Sequence, residues 1–203
     1  MLGKDHQIVS VALVAGGLTL VQPEPTLKNL TSDAVLLGST LVGALLPDVD
    51  SPKSIINRYL PIKLSHFFHH RGLTHSLLGL IIFGGLLYWL FHGLMPTILP
   101  LYLGLVLGYA LHLVEDGFSQ AGVRWLAPFS PYDRWSYMNY NVYLCRPVRF
   151  KKRHGKKIPV RHWWGRGYQV GGDFEKVITG ISELGLIVAV LLLVTRWLWY
   201  NCR

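Results

Sequence analysis

Acidic residues and cysteines are scarce in this chain of 203 residues. Asp and Glu together number 11 against 20 Lys and Arg, and there are two cysteines. Cys145 and Cys202 lie far apart with no CxxC spacing, which excludes a disulfide framework and a cysteine-based metal site. Charge of either sign is thin, at 15% of residues, and no internal repeat or low-complexity tract is visible. A water-exposed surface needs more charge than that. What fills the chain is apolar: 51% of residues are hydrophobic, and they come in long blocks rather than short periodic runs.

Such blocks read as membrane spans when about 18 or more apolar residues run together. Leu77–Met95 and Val177–Tyr200 meet that length, and Thr97–Val114 meets it apart from His112. Ile8–Val21 and Ala34–Leu46 are shorter and glycine-rich, and are read as spans with buried or re-entrant helix as the alternative. No small-residue cleavage site precedes Gln22-Pro23, so the first block is expected to be a retained helix and not a signal peptide. The expected fold is all-α: a single membrane-embedded domain over 1–203, a polytopic bundle of about five helices.

The net charge of +9 is distributed unevenly. If five helices alternate across a bilayer, the N-terminus, the 47–76 loop and the 115–176 loop share one side. Lys4, four basic residues in the first loop and twelve between Arg124 and Lys176 put seventeen of the twenty there. An excess of Lys and Arg marks the cytoplasmic side. The reading is therefore a multi-pass membrane protein with a cytoplasmic N-terminus and an outside C-terminus. Within the basic, aromatic loop 117–176, residues 146–166 (RPVRFKKRHGKKIPVRHWWGR) suit anionic lipid headgroups. They also suit nucleic acid, but tethering to a bilayer favours membrane lipids as partners over nucleic acid.

Four polar motifs fall on that same side: Asp5-His6 before the first helix, PDVD at 47–50, HHRGLTHS at 69–76, and HLVED at 112–116. His112 and Asp116 are four apart on a helix and so share a face. Asp48 and Asp50 follow a helix-stopping proline and can turn to a common point. His70 and His75 flank Gly72, where the backbone can bend. Imidazole mixed with carboxylate suits zinc, manganese or iron rather than calcium. Each motif alone is commonplace, as a helix cap, a turn or an interfacial histidine. Their gathering at one membrane face is what points to a divalent-metal site.

Asp5-His6, LLPDVDSP, HRGLTHS, GYALHLVEDGFSQAGV and LAPFSP, spread in order over residues 1 to 131, resemble a family of inner-membrane metal-dependent hydrolases, some LexA-regulated. That family is distantly similar to zinc-dependent phospholipase C and P1-type nucleases, which are all-helical phosphodiesterases. The resemblance implies metal ligands at His6, Asp48, Asp50, His70, His75, His112 and Asp116. It implies metal-assisted hydrolysis of a phosphoester in a lipid or lipid-like substrate at the cytoplasmic leaflet. In that reading Asp48 or Asp116 is the general base, and Arg71 either holds a phosphate or is a positive-inside anchor. The alternatives are a non-catalytic membrane protein with a structural metal site, a transporter and a nucleic-acid enzyme. The transporter is disfavoured because no ionisable residue lies in the middle of the third or fourth block.

Overall fold

A computed structural model describes residues 3–21, 26–51, 54, 56, 72–118, 123, 125–127, 150–153, 156–159 and 171–201. Among the described residues, five α-helices carry the fold: α1 (Gly3–Val21), α2 (Leu27–Gly43), α3 (Leu77–Phe91), α4 (Met95–Gly117) and α5 (Asp173–Asn201). Four helical stretches, Asn29–Asp50, Leu77–Leu94, Thr97–Gly117 and Asp173–Tyr200, are long and apolar enough to cross a membrane. At a rise of about 1.5 Å per residue, the 19 residues of α1 extend roughly 28 Å, close to a bilayer core.

Large apolar side chains point outward: Ile81, Trp89, Leu184 and Leu191 are all more than half exposed. For a soluble protein this would be costly, but lipid is as apolar as the side chains facing it. Few residues are buried, and they are unusually polar. The interior is built by close backbone approach, not by a thick apolar core. A Cβ added at Gly104 would run into Leu36 O and the Ser39 side chain, and one at Gly108 would run into Thr40 O. Glycine at these two positions lets α4 lie directly on α2, as small residues do between membrane helices.

Helix direction follows from contacts at the two ends. Near the far end, Arg196 Nη1 of α5 donates to Thr19 O of α1 at 2.7 Å. At the other end, the buried Asp5 carboxyl of α1 meets Glu175 of α5. Helices α1 and α5 therefore run parallel. The starts of α1, α3 and α5 and the ends of α2 and α4 gather at one end of the bundle.

Several details differ from the sequence reading. Helix α1 begins at Gly3 rather than Ile8, which puts Asp5 and His6 in its first turn. Helix α2 ends at Gly43, and Pro47–Asp50 forms a separate 3₁₀ turn with the proline at its start. A second 3₁₀ turn, Leu73–His75, leads to Ser76, whose side chain accepts from Gly79 N at 3.0 Å and caps α3. Within the basic loop, Phe150–Arg153 (β1) and Lys156–Pro159 (β2) pair as a short antiparallel hairpin. A run of Lys and Arg shows no alternation of apolar residues, so nothing in that pattern marks a strand.

Candidate metal centre

The gathered helix ends hold a cluster of side chains that is buried although it is polar. His6, Asp50, His75, His112 and Asp116 are each at most 2% exposed. Burying such groups is costly unless each is hydrogen-bonded or paired, so their partners define what the cluster is.

Among the described residues, three imidazoles meet at the centre. The His6 and His112 rings stack with centroids 3.8 Å apart, and the His75 ring stands edge-on to His112 at 5.3 Å. Each ring is held by Nδ1. In α4, His112 Nδ1 donates to Ala44 O at 2.7 Å. Ala44 caps the end of α2, where carbonyls lack an intrahelical partner. A carbonyl only accepts, so His112 Nδ1 carries the hydrogen and its neutral ring presents a bare lone pair at Nε2. That Nε2 is buried and has no hydrogen-bond partner among the described residues.

His75 Nδ1 donates to Asp50 Oδ2 at 3.1 Å, and the same oxygen accepts from the Thr74 hydroxyl at 2.6 Å. The Tyr109 hydroxyl of α4 donates to Thr74 O and ties this turn to the bundle. His6 Nδ1 donates to Glu115 Oε2 at 2.6 Å, and Ser10, one turn along α1, donates to Glu115 Oε1 at 2.9 Å.

With Nδ1 committed in all three rings, the Nε2 atoms face two carboxylates. Asp116 Oδ1 lies 3.4 Å from His6 Nε2, and Asp116 Oδ2 lies 3.9 Å from His75 Nε2. Asp48 Oδ1 lies 3.6 Å from His75 Nε2 and 3.8 Å from His112 Nε2. Neighbouring donors on a tetrahedral ion with bonds of about 2.0–2.1 Å stand roughly 3.3–3.4 Å apart. The His6–Asp116 spacing matches that, and the other three are slightly longer and too long for hydrogen bonds. Two groups of three, His6/His112/Asp116 and Asp48/His75/His112, have ligand atoms close enough together to hold a metal ion.

The electrostatics agree with the spacing. Burial works against a charged His75 ring, but the Asp48 and Asp50 carboxylates outweigh it and raise its pKa to about 9. Surroundings that favour an imidazolium favour a cation in that place, and a divalent ion displaces the proton. The donor set therefore fits a transition-metal ion.

Of the residues expected from the sequence, His6, Asp48, His75, His112 and Asp116 converge. Asp50 stands behind His75, on the Nδ1 side. His70 and Arg71 lie outside the described residues, as does most of the 117–176 loop. Glu115, Ser10, Thr74 and the Ala44 carbonyl were not anticipated. Helical spacing was the available signal for two of them, since Glu115 is three residues from His112 and Ser10 is four from His6.

Fold and site together define a multi-pass helical membrane protein with a buried histidine–aspartate cluster at one end of its bundle. The chain belongs to the YdjM inner membrane protein family, whose profile matches residues 1–201. It is 31% identical over 134 residues to the uncharacterized protein YvsG of Bacillus subtilis (strain 168), covering 63% of this chain and 74% of YvsG. It is 32% identical over 102 residues to the inner membrane protein YdjM of Escherichia coli (strain K12), covering 46% of this chain and 49% of that one. The uncharacterized protein YfhP of Bacillus subtilis (strain 168) is 28% identical over 127 residues, 62% of this chain and 36% of YfhP. The chain thus spans about half the length of the Escherichia coli relative and about a third of YfhP. No solved structure matches it.

Proposed function

We propose that this chain is a membrane-bound, metal-dependent hydrolase acting on a phosphoester in a lipid or lipid-like substrate at the cytoplasmic face of the inner membrane. The observation that carries the reading is the bare, buried Nε2 of His112 in a cluster whose other donors stand 3.4–3.9 Å apart. The bound ion would be zinc, with manganese or iron also suited to these ligands. His6, His75, His112, Asp48 and Asp116 would hold it. A divalent ion there supplies Lewis acidity and makes water a stronger acid.

The chain's own part in the chemistry falls to Asp48. Its side chain is 20% exposed, against 3% for Asp116, so it is the carboxylate a substrate or water can reach. We assign it the general-base role, accepting a proton from the attacking water at the carboxylate oxygen that does not hold the ion. The resemblance to phosphodiesterases supports the phosphoester, as does Arg71, which stands in the HRGLTHS motif between two candidate ligands. Placement at the cytoplasmic face rests on the excess of Lys and Arg in the loops at that end.

Near-complete burial of the other four ligands favours a second reading, in which the metal only ties the helix ends together. A structural site has a closed shell, whereas a catalytic one keeps an open position. The test is to purify the full chain in detergent without chelator and measure bound metals. Hydrolysis of a chromogenic phosphodiester and of mixed-micelle phospholipids is then assayed for wild type and Asp48→Asn. Metal-dependent turnover that falls at least 100-fold in Asp48→Asn supports the enzyme. Bound metal without turnover of either substrate supports the structural site. A folded wild type without transition metal, even after reconstitution, overturns both.

A further inference from the structure

Glu115 stands between two residues that face the centre, yet its own carboxylate turns away from it. In one turn of α4, His112 and Asp116 present donors to the cluster while both oxygens of Glu115 accept from α1: Oε2 from His6 Nδ1 at 2.6 Å and Oε1 from Ser10 at 2.9 Å. We propose that Glu115, steadied by Ser10, is the positioning residue for His6, so that α1 becomes part of the metal site through this one contact. The inference rests on the metal-binding part of the function proposed above.

The chemistry follows from what each group can do. A carboxylate accepts, so the Glu115 bond puts the His6 proton on Nδ1 and leaves Nε2 as a lone pair facing Asp116 Oδ1. A carboxylate behind an imidazole also makes the ring a stronger metal donor. The three rings are backed unequally: Glu115 stands behind His6, Asp50 behind His75, and only the neutral Ala44 carbonyl behind His112. His6 has the shortest of these three bonds, and it is the ring that α1 contributes. Helix α1 lies against α2, α4 and α5, but among the described residues it brings no other donor to the cluster. Without Glu115, a buried His6 is free to change tautomer or turn, and the site loses one of the three imidazole nitrogens that the described residues bring to it. Ser10 is fully buried, and its hydroxyl fixes the rotation of the Glu115 carboxylate.

Full-length protein in detergent, titrated with Co²⁺ as a spectroscopic probe, tests this. Glu115→Gln keeps an acceptor for His6 Nδ1 and an amide that can donate to Ser10 Oγ, so it removes charge and little shape. We expect it to bind Co²⁺ about 10–100-fold more weakly, and Ser10→Ala to lose several-fold. The Glu115→Ala absorption spectrum should match that of His6→Ala, because both variants lose the same nitrogen from the shell. In a His6→Ala background neither Glu115→Gln nor Ser10→Ala should cost anything further, since a residue that acts through His6 has nothing left to act on. Losses that persist unchanged in that background overturn the proposal, as does full affinity in Glu115→Gln. Failure of folded wild type to bind Co²⁺ overturns the metal site itself, which is a distinct outcome. Ser10→Ala keeps the test open if a Glu115 variant does not fold.

Discussion

The close approach of α4 to α2 predicts that a single methyl group one turn away from the site will disable it. In Gly108→Ala the new Cβ would overlap Thr40 O, and it would sit 2.7 Å from Ala44 N and 3.0 Å from the Gly43 carbonyl carbon. All three are backbone atoms, which cannot rotate aside. Restoring a carbon contact of about 3.5 Å requires the helices to part by about 1 Å. His112 is one turn further along α4, and its Nδ1 bond to Ala44 O is 2.7 Å long. The same displacement takes that distance to roughly 3.7 Å, outside hydrogen-bond range. Overpacking costs about 1–3 kcal/mol, and an unmade bond to a buried group adds about 1–3 kcal/mol.

The expected result is a lowered unfolding temperature in detergent together with weakened metal binding. Gly85→Ala in α3 is the control, because nothing lies within 4 Å of a Cβ there. It should be neutral or stabilising by about 0.5–1 kcal/mol. If Gly108→Ala keeps wild-type metal affinity and stability, the α2–α4 contact does not position His112 and the packing argument fails.

Three further predictions follow from the same geometry. Asp50→Ala removes the acceptor behind His75 Nδ1 and the partner of Thr74, so metal affinity should fall about 10–100-fold; isothermal titration that finds no change would contradict the role of that contact. The His75 pKa is raised to about 9 in the metal-free protein, so a proton competes with metal below that pH. Affinity should fall about tenfold per pH unit as pH drops from 9 toward 6 from this ring alone, and Asp48→Asn should flatten that dependence by removing the leading carboxylate partner. If the chain makes five crossings from a cytoplasmic start, a reporter fused after Arg203 should report outside the cytoplasm; a cytoplasmic signal would place an even number of spans in the chain.

Much of the bundle was readable from the sequence because lipid selects on composition alone. A helix facing hydrocarbon needs length and apolar side chains, and the blocks at 77–95, 97–114 and 177–200 supply both without reference to any neighbour. Charge asymmetry supplied an expectation for orientation in the same way: seventeen basic residues fall on loops that an alternating chain puts together. The histidines and aspartates of the cluster were equally legible, since a buried histidine or aspartate beside a membrane span needs a reason to be there.

Tertiary structure decided what the residue types could not. Whether Asp50 faces the centre or stands behind His75 depends on how two 3₁₀ turns pack, and composition says nothing about that. Helix α1 starts at Gly3 because a buried His6 finds Glu115 more than a hundred residues away; the local sequence, with Asp and His before the apolar run, reads as a loop. Glu115 looked like one more polar residue at a helix end until α1 was seen to lie against it. The Ala44 carbonyl was invisible in principle, because every residue has one, and only the end of a helix leaves it unpaired. The sequence determined which groups would be available at that end of the bundle, and the packing of α1, α2 and α4 determined which nitrogen of each histidine was left to bind.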